Sequence, residues 1–134
     1  MSFREKSAWT MAAVMLVAGI FYAWLVSHGA EAPVIGPLIP YVLLVIVLSV
    51  AVQIVLAIAS PREAQAAADE REKQIIWRAG HRSGVVLTIG VIASGAVYVL
   101  HPFGNMLFHH MLGALIVAQI SEYLLQIYYL RRGY

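Results

Sequence analysis

The 134-residue sequence contains no cysteine, so disulfides, thiolate metal sites and cysteine nucleophiles are all excluded. Charge is scarce as well. Asp, Glu, Lys and Arg make up 12% of the chain, against roughly 25% in an ordinary soluble domain. Residues 28–37 and 101–105 hold no lysine or arginine at all. Catalytic signatures are also missing: there is no Walker loop, G-x-S-x-G, HExxH or glycine-rich dinucleotide fingerprint. Serine or tyrosine nucleophiles without a nearby His or Asp on the same side of a membrane are not credible. The sequence therefore reads as a non-enzyme.

Apolar residues fill the space that charge leaves. They form 61% of the chain, with a mean hydropathy of +0.79, and they are gathered into four blocks. These blocks are Ala8–Ser27, Leu38–Ala59, Gly84–Leu100 and Met106–Leu130. Each approaches the ~20 residues a helix needs to cross the hydrocarbon core. The expected fold is an all-α polytopic membrane protein, a single domain over 1–134 with four transmembrane helices arranged as two hairpins. Its spans are 8–27, 38–59, 84–100 and 106–130, with a connector helix at 60–83. Arg4 and Lys6 before the first block, and Ala30-Glu31-Ala32 after it, resemble a signal peptide and its cleavage site. A signal h-region is about 7–15 residues, shorter than this block, so a retained helix is expected.

Sidedness follows from the positive charges. All nine fall in three places: Arg4 and Lys6; Arg62, Arg71, Lys73, Arg78 and Arg82; Arg131 and Arg132. The positive-inside rule puts both termini and the connector in the cytoplasm. The basic excess is thus explained by topology and implies no nucleic-acid partner. Trp9, Tyr128 and Tyr129 mark the inner interface, and Tyr22, Trp24, Tyr41 and Tyr98 the outer one.

The connector carries helix signals. Ser60-Pro61-Arg62-Glu63 fits a capping box, Asp69 and Lys73 are spaced for an ion pair, and Gly80 and Gly84 predict a bend. The chain also hints at duplication. A shift of 76 residues sets Ser7 over Ser83, Gly19 over Gly95 and Tyr22 over Tyr98, and a shortened outer connection sets Gln53 over Gln119. If the repeat is real, a pseudo-twofold along the membrane normal brings Gln53 opposite Gln119.

Three groups of residues could carry function. Gln119, Glu122 and Gln126 share one face of the last helix at 100° per residue. Together with Gln53 they form an intramembrane polar site, either a proton- or cation-binding path or helix–helix glue. A snorkelling Glu122 that meets Arg131, Arg132 or a connector arginine is the plainer reading. His28, His101, His109 and His110 lie near the outer side and could supply a metal or bis-histidine haem site, with Glu31 as an added metal ligand. His109 and His110, 100° apart, fit one ligand sphere poorly, and interfacial histidine is ordinary. Small residues at Gly80-x3-Gly84-x3-Thr88, Gly90-x3-Ser94 and Ala114-x3-Ala118 allow close helix packing.

The third group is the charged connector. Asp69-Glu70-Arg71-Glu72-Lys73, then Ile76, then Arg78-Ala79-Gly80-His81-Arg82-Ser83-Gly84, lie between two apolar hairpins. This pattern resembles a group of small four-helix bacterial membrane proteins of unknown function, along nearly the whole chain. The resemblance implies a protein of the bacterial inner membrane. It also implies a cytoplasmic regulator of the helix-turn-helix type as a partner, since such genes often adjoin the group's. The expected function is then regulatory or signalling, with docking through Asp69, Glu70, Arg71, Arg78 and Arg82. The alternative is a small homo-oligomeric transporter or channel built on Glu122. A metal- or haem-binding protein is a third reading; otherwise no cofactor is expected.

Overall fold

A computed structural model of the protein describes residues 1–29 and 33–133. The Ala30-Glu31-Ala32 stretch, and with it the role considered for Glu31, lies outside the described residues. Five helices follow in order: α1 (Phe3–His28), α2 (Ile35–Ala59), α3 (Pro61–Gln65), α4 (Glu70–Leu100) and α5 (Met106–Arg132). Four of them, all but the short α3, are long and apolar enough to cross a membrane. The protein is an all-α polytopic membrane protein.

Local chemistry sets the helix ends. Ser2 Oγ accepts the Glu5 N–H at 3.2 Å and starts α1. Gly133 adopts a left-handed φ of 76° and closes α5, donating its N–H to the Tyr129 carbonyl. The connector differs from its expectation. Ser60 makes no side-chain cap, α3 ends after five residues, and the box forms instead at Asp69 and Glu72. There the Asp69 N–H donates to Glu72 Oε2 at 3.2 Å. Lys73 pairs with Glu70 at 2.6 Å rather than with Asp69, which as N-cap lies outside the helix.

From Glu70 the helix runs without a break to Leu100. Gly80 and Gly84, where a bend is expected, do not interrupt the helix, and a Cβ on Gly80 would lie 3.8 Å from Glu122 Oε1 on α5. Thirty-one residues span roughly 46 Å at 1.5 Å each, about 16 Å more than the hydrocarbon core. The surplus stands at the charged end of the bundle.

Without a hydrophobic force between helices in lipid, close approach by small residues has to hold the bundle together. Ala8, Ala12, Met15, Ala18 and Tyr22 recur every three or four residues on α1, and all are buried. α1 packs against α2 on one side and α5 on the other, and α5 packs against α4. Gly90 of α4 and Ala114 of α5 touch so closely that a Cβ on Gly90 would lie 2.6 Å from the Ala114 Cβ. The Gly80-Gly84-Thr88 row does not form one seam, since Gly84 has open space beside it and Thr88 is exposed. α1 and α5 hold the centre, with α2 and α4 on the flanks. A pseudo-twofold would give α2 and α4 a seam equivalent to that of α1 and α5, and the packing does not follow that pattern.

At the charged end, ion pairs tie the elements together. Arg4 Nε donates to Glu72 Oε2 at 3.2 Å, and Arg131 Nε donates to Glu5 Oε1 at 2.7 Å. Arg131 also lies over Trp9, Arg132 over Tyr128 and Arg82 over Tyr129. Glu72 therefore caps α4 and pins it to α1. Glu72→Ala is expected to cost about 1 kcal/mol, the value of a lost cap. Hydrogen exchange should speed up at residues 69–75 and stay unchanged across 84–100.

Candidate functional site

The inner half of the bundle holds a polar crevice of about 170 Å³ to which α1, α2, α4 and α5 all contribute. Arg4, Ser7, Gln53, Glu72, Tyr123 and Gln126 supply its polar lining. Gln53 Nε2 donates to Ser7 Oγ at 2.9 Å, fastening α2 to α1. The predicted polar residues Gln53 and Gln126 therefore do meet, in one crevice. Gln119 does not line this crevice with Gln53. Its register sets it one to two turns further from the charged end than Gln126.

Glu122 sits beside this crevice in the α4–α5 seam. Its Oε1 accepts from Gln126 Nε2 at 3.3 Å, and its Oε2 lies 3.5 Å from Ser83 Oγ. Among the described residues no arginine pairs with it. Arg131 is taken by Glu5 and Trp9, and Arg132 by Tyr128. The snorkelling ion pair is thus replaced by neutral partners, Gln126 on the same helix and Ser83 across the seam; the Ser83 hydroxyl also reaches the Gly80 carbonyl at 2.9 Å. Glu122→Gln can keep both contacts and is expected to change stability by less than about 0.5 kcal/mol. Glu122→Leu should lose roughly 0.6–2 kcal/mol, the range of interhelical bonds in membranes. Unfolding of purified protein in detergent measures both.

The outer half holds a second polar group, one that the sequence conceals. Tyr22 and His109, 87 positions apart, hydrogen-bond through Tyr22 Oη and His109 Nδ1 at 2.5 Å. Both are buried, 4% and 8% exposed, and Tyr41 packs edge-on against Tyr22. Only the register of α1 against α5 makes this pair, so nothing local in the sequence announces it. The other outer histidines go elsewhere. His28 packs on Trp24 and contacts the Trp24 carbonyl, while His101 and His110 are exposed. Among the described residues, no three His, Asp or Glu side chains converge on one point. His109 and Glu122 stand thirteen positions apart on α5, roughly 20 Å of helix, and the seam between them is the apolar cluster of Ala18 and Ile116 with Ile120.

The charged connector is sorted by its helical register. Ile75, Ala79 and Ser83 are buried against the bundle, with Ile75 and Ala79 packed on Tyr129. Glu70, Lys73, Gln74, Trp77, Arg78 and His81 line the opposite, exposed face. Trp77 is 77% exposed and stacks on His81. Of the expected docking residues, Glu70 and Arg78 lie on that face. Asp69 caps the helix, Arg71 reaches towards Gly133 and Arg82 covers Tyr129. The docking set expected from the sequence leaves out Gln74, Trp77 and His81, although their i, i+3, i+7 spacing marks one face once the helix start is known.

A family model described as "Predicted membrane protein (DUF2178)" matches residues 5–134. No curated protein and no solved structure matches the chain.

Proposed function

The chain belongs to this family of predicted membrane proteins, and we propose that it is a non-enzymatic docking protein. It holds a soluble cytoplasmic partner on the exposed face of α4, in a regulatory or signalling role. One observation carries this reading. α4 leaves the membrane as a continuous helix, tied to α1 by Arg4–Glu72, so its outward face is rigid before any partner arrives. That face presents an aromatic residue, Trp77, among Glu70, Lys73, Gln74 and Arg78. Aromatic and arginine side chains dominate binding energy at interfaces, and a preorganised helix loses little entropy on docking. The partner fitting this surface has an apolar pocket for Trp77 and acidic groups for Lys73 and Arg78.

The transport alternative draws less support from the geometry. The polar residues of the inner half stop at an apolar stretch before His109, and the inner crevice is small. The test is photocrosslinking in host membranes from a benzophenone amino acid placed at Gln74. A discrete protein adduct that disappears when Arg78→Glu is added supports docking. Lipid adducts alone, unchanged by Arg78→Glu, would show that the face lies on the bilayer instead.

A further inference from the structure

We infer that Arg82 and Arg132, at the charged end of the α4–α5 pair, bind the phosphate of an anionic phospholipid in the leaflet at that end. The geometry forms a continuous row. The Arg82 guanidinium lies 5.5 Å from the centre of the Tyr129 ring, and that of Arg132 lies 4.8 Å from the centre of the Tyr128 ring. The two rings meet edge-on with their centres 5.5 Å apart. Two cations therefore flank one tyrosine pair. Both arginines are exposed, and among the described residues neither takes part in an ion pair. A guanidinium held over a ring has little freedom left to lose and keeps its N–H fork for an anion. Tyr129 adds an unused donor to the row, since its hydroxyl is buried with no hydrogen-bond partner among the described residues.

Depth selects a lipid over a free anion. Arg82 stands eighteen positions from Leu100 at the far end of α4, roughly 27 Å of helix against a core of about 30 Å. Tyr128 stands twenty-two positions from Met106 at the far end of α5, roughly 33 Å. The row thus lies where hydrocarbon gives way to headgroups, with Arg82 at its deeper end. An unpaired charge is costly at that edge, and the anion always present there is a lipid phosphate. Charge then selects the head. Among the described residues no carboxylate pairs with either arginine. Glu5, Glu70 and Glu72 are taken by Arg131, Lys73 and Arg4, Asp69 caps α4, and Glu122 is bonded to Gln126. The ammonium of a zwitterionic head finds two repelling cations here, whereas a head that carries phosphate alone is attracted by both. Neither arginine belongs to the docking face around Trp77, so the two readings stand or fall separately.

The test is native mass spectrometry of the full chain released from nanodiscs that hold equal amounts of phosphatidylglycerol and phosphatidylcholine with matched acyl chains. Retained phosphatidylglycerol should exceed phosphatidylcholine by about tenfold, the effect of one charge-assisted hydrogen bond. Arg82→Gln with Arg132→Gln should abolish the excess, while phosphatidylcholine retention, which reports an intact bundle, stays unchanged. Lys6→Gln with Arg62→Gln removes the same charge elsewhere at that end and should leave the excess in place. Equal retention of the two lipids, or an excess that survives the arginine variant, would overturn the inference. So would an equal loss in both variants, which would reduce the effect to net charge. Displacement of the bound lipid by inorganic phosphate would overturn the lipid assignment in favour of a free-anion site.

Discussion

Gly90→Leu is expected to open the α4–α5 seam and lower the thermal midpoint in detergent by several degrees. A Cβ at this position would meet the Ala114 Cβ at 2.6 Å and the Ala114 Cα at 3.4 Å. The second of these is backbone, so no rotamer change relieves the contact and the helices must separate. Overpacking of this kind costs about 1–3 kcal/mol. In a bundle held by close packing, that loss removes a large part of the attraction between two spans. Gly84→Ala is the matched control, because nothing lies within 4 Å of the added carbon. It should be neutral or slightly stabilising, since alanine exceeds glycine in helix propensity by ~1 kcal/mol. The exchange Gly90→Ala with Ala114→Gly returns the missing space from the other side and should recover most of the stability that Gly90→Ala alone removes. Failure of that rescue would mean that the two residues do not share a contact.

The largest functional effect is expected from the pair Trp77→Ala and Arg78→Glu. Trp77 offers most of its surface outward, and Arg78 sits beside it on the same face. Truncating an aromatic anchor commonly costs 2 kcal/mol or more, and reversing a neighbouring charge adds repulsion. Together these amount to at least about a thirtyfold loss of partner capture. The fold should not notice, because neither residue is buried and neither belongs to the ion pairs that tie the charged end together. Capture is read by crosslinking yield, and fold by an unchanged thermal midpoint. Asp69→Ala is the useful contrast: loss of the cap residue should change helix fraying more than capture.

Much of this architecture is legible in the sequence, for identifiable reasons. Four apolar blocks can be satisfied only as helices in lipid, since every backbone group must be bonded internally. The nine positive charges then give an expected sidedness. Boundaries were harder. Phe3–Lys6 and Ile35–Pro37 extend the first two helices beyond their apolar cores, because capping and helix continuity do not depend on hydropathy. Gly80 and Gly84 suggest a hinge, yet the helix is continuous through both. Partners distant in sequence were out of reach. Tyr22 with His109, Gln53 with Ser7 and Gly90 with Ala114 each depend on the register between two helices. Hydropathy carries no information about that register. For the same reason Glu122 was visible as an oddity while Ser83, its partner on α4, was not.

The Glu122 result separates two classes of protein. A carboxylate on a conduction path should lose its function on conversion to glutamine, whereas one that joins helices should not. With Gln126 and Ser83 as its partners, the second outcome is expected. Flux measured in proteoliposomes and the stability of Glu122→Gln together distinguish them.

The absence of cysteine makes the decisive measurement direct, because every introduced thiol is the only one. Single cysteines placed one at a time from Lys73 to His81 can be treated with a membrane-impermeant maleimide in inverted vesicles. Rapid reaction at Gln74, Trp77, Arg78 and His81, with protection at Ile75 and Ala79, is the result expected if α4 carries one rigid, water-facing side out of the membrane. Uniform reactivity along the segment, or protection of Trp77 and Arg78 alongside Ile75, would contradict it.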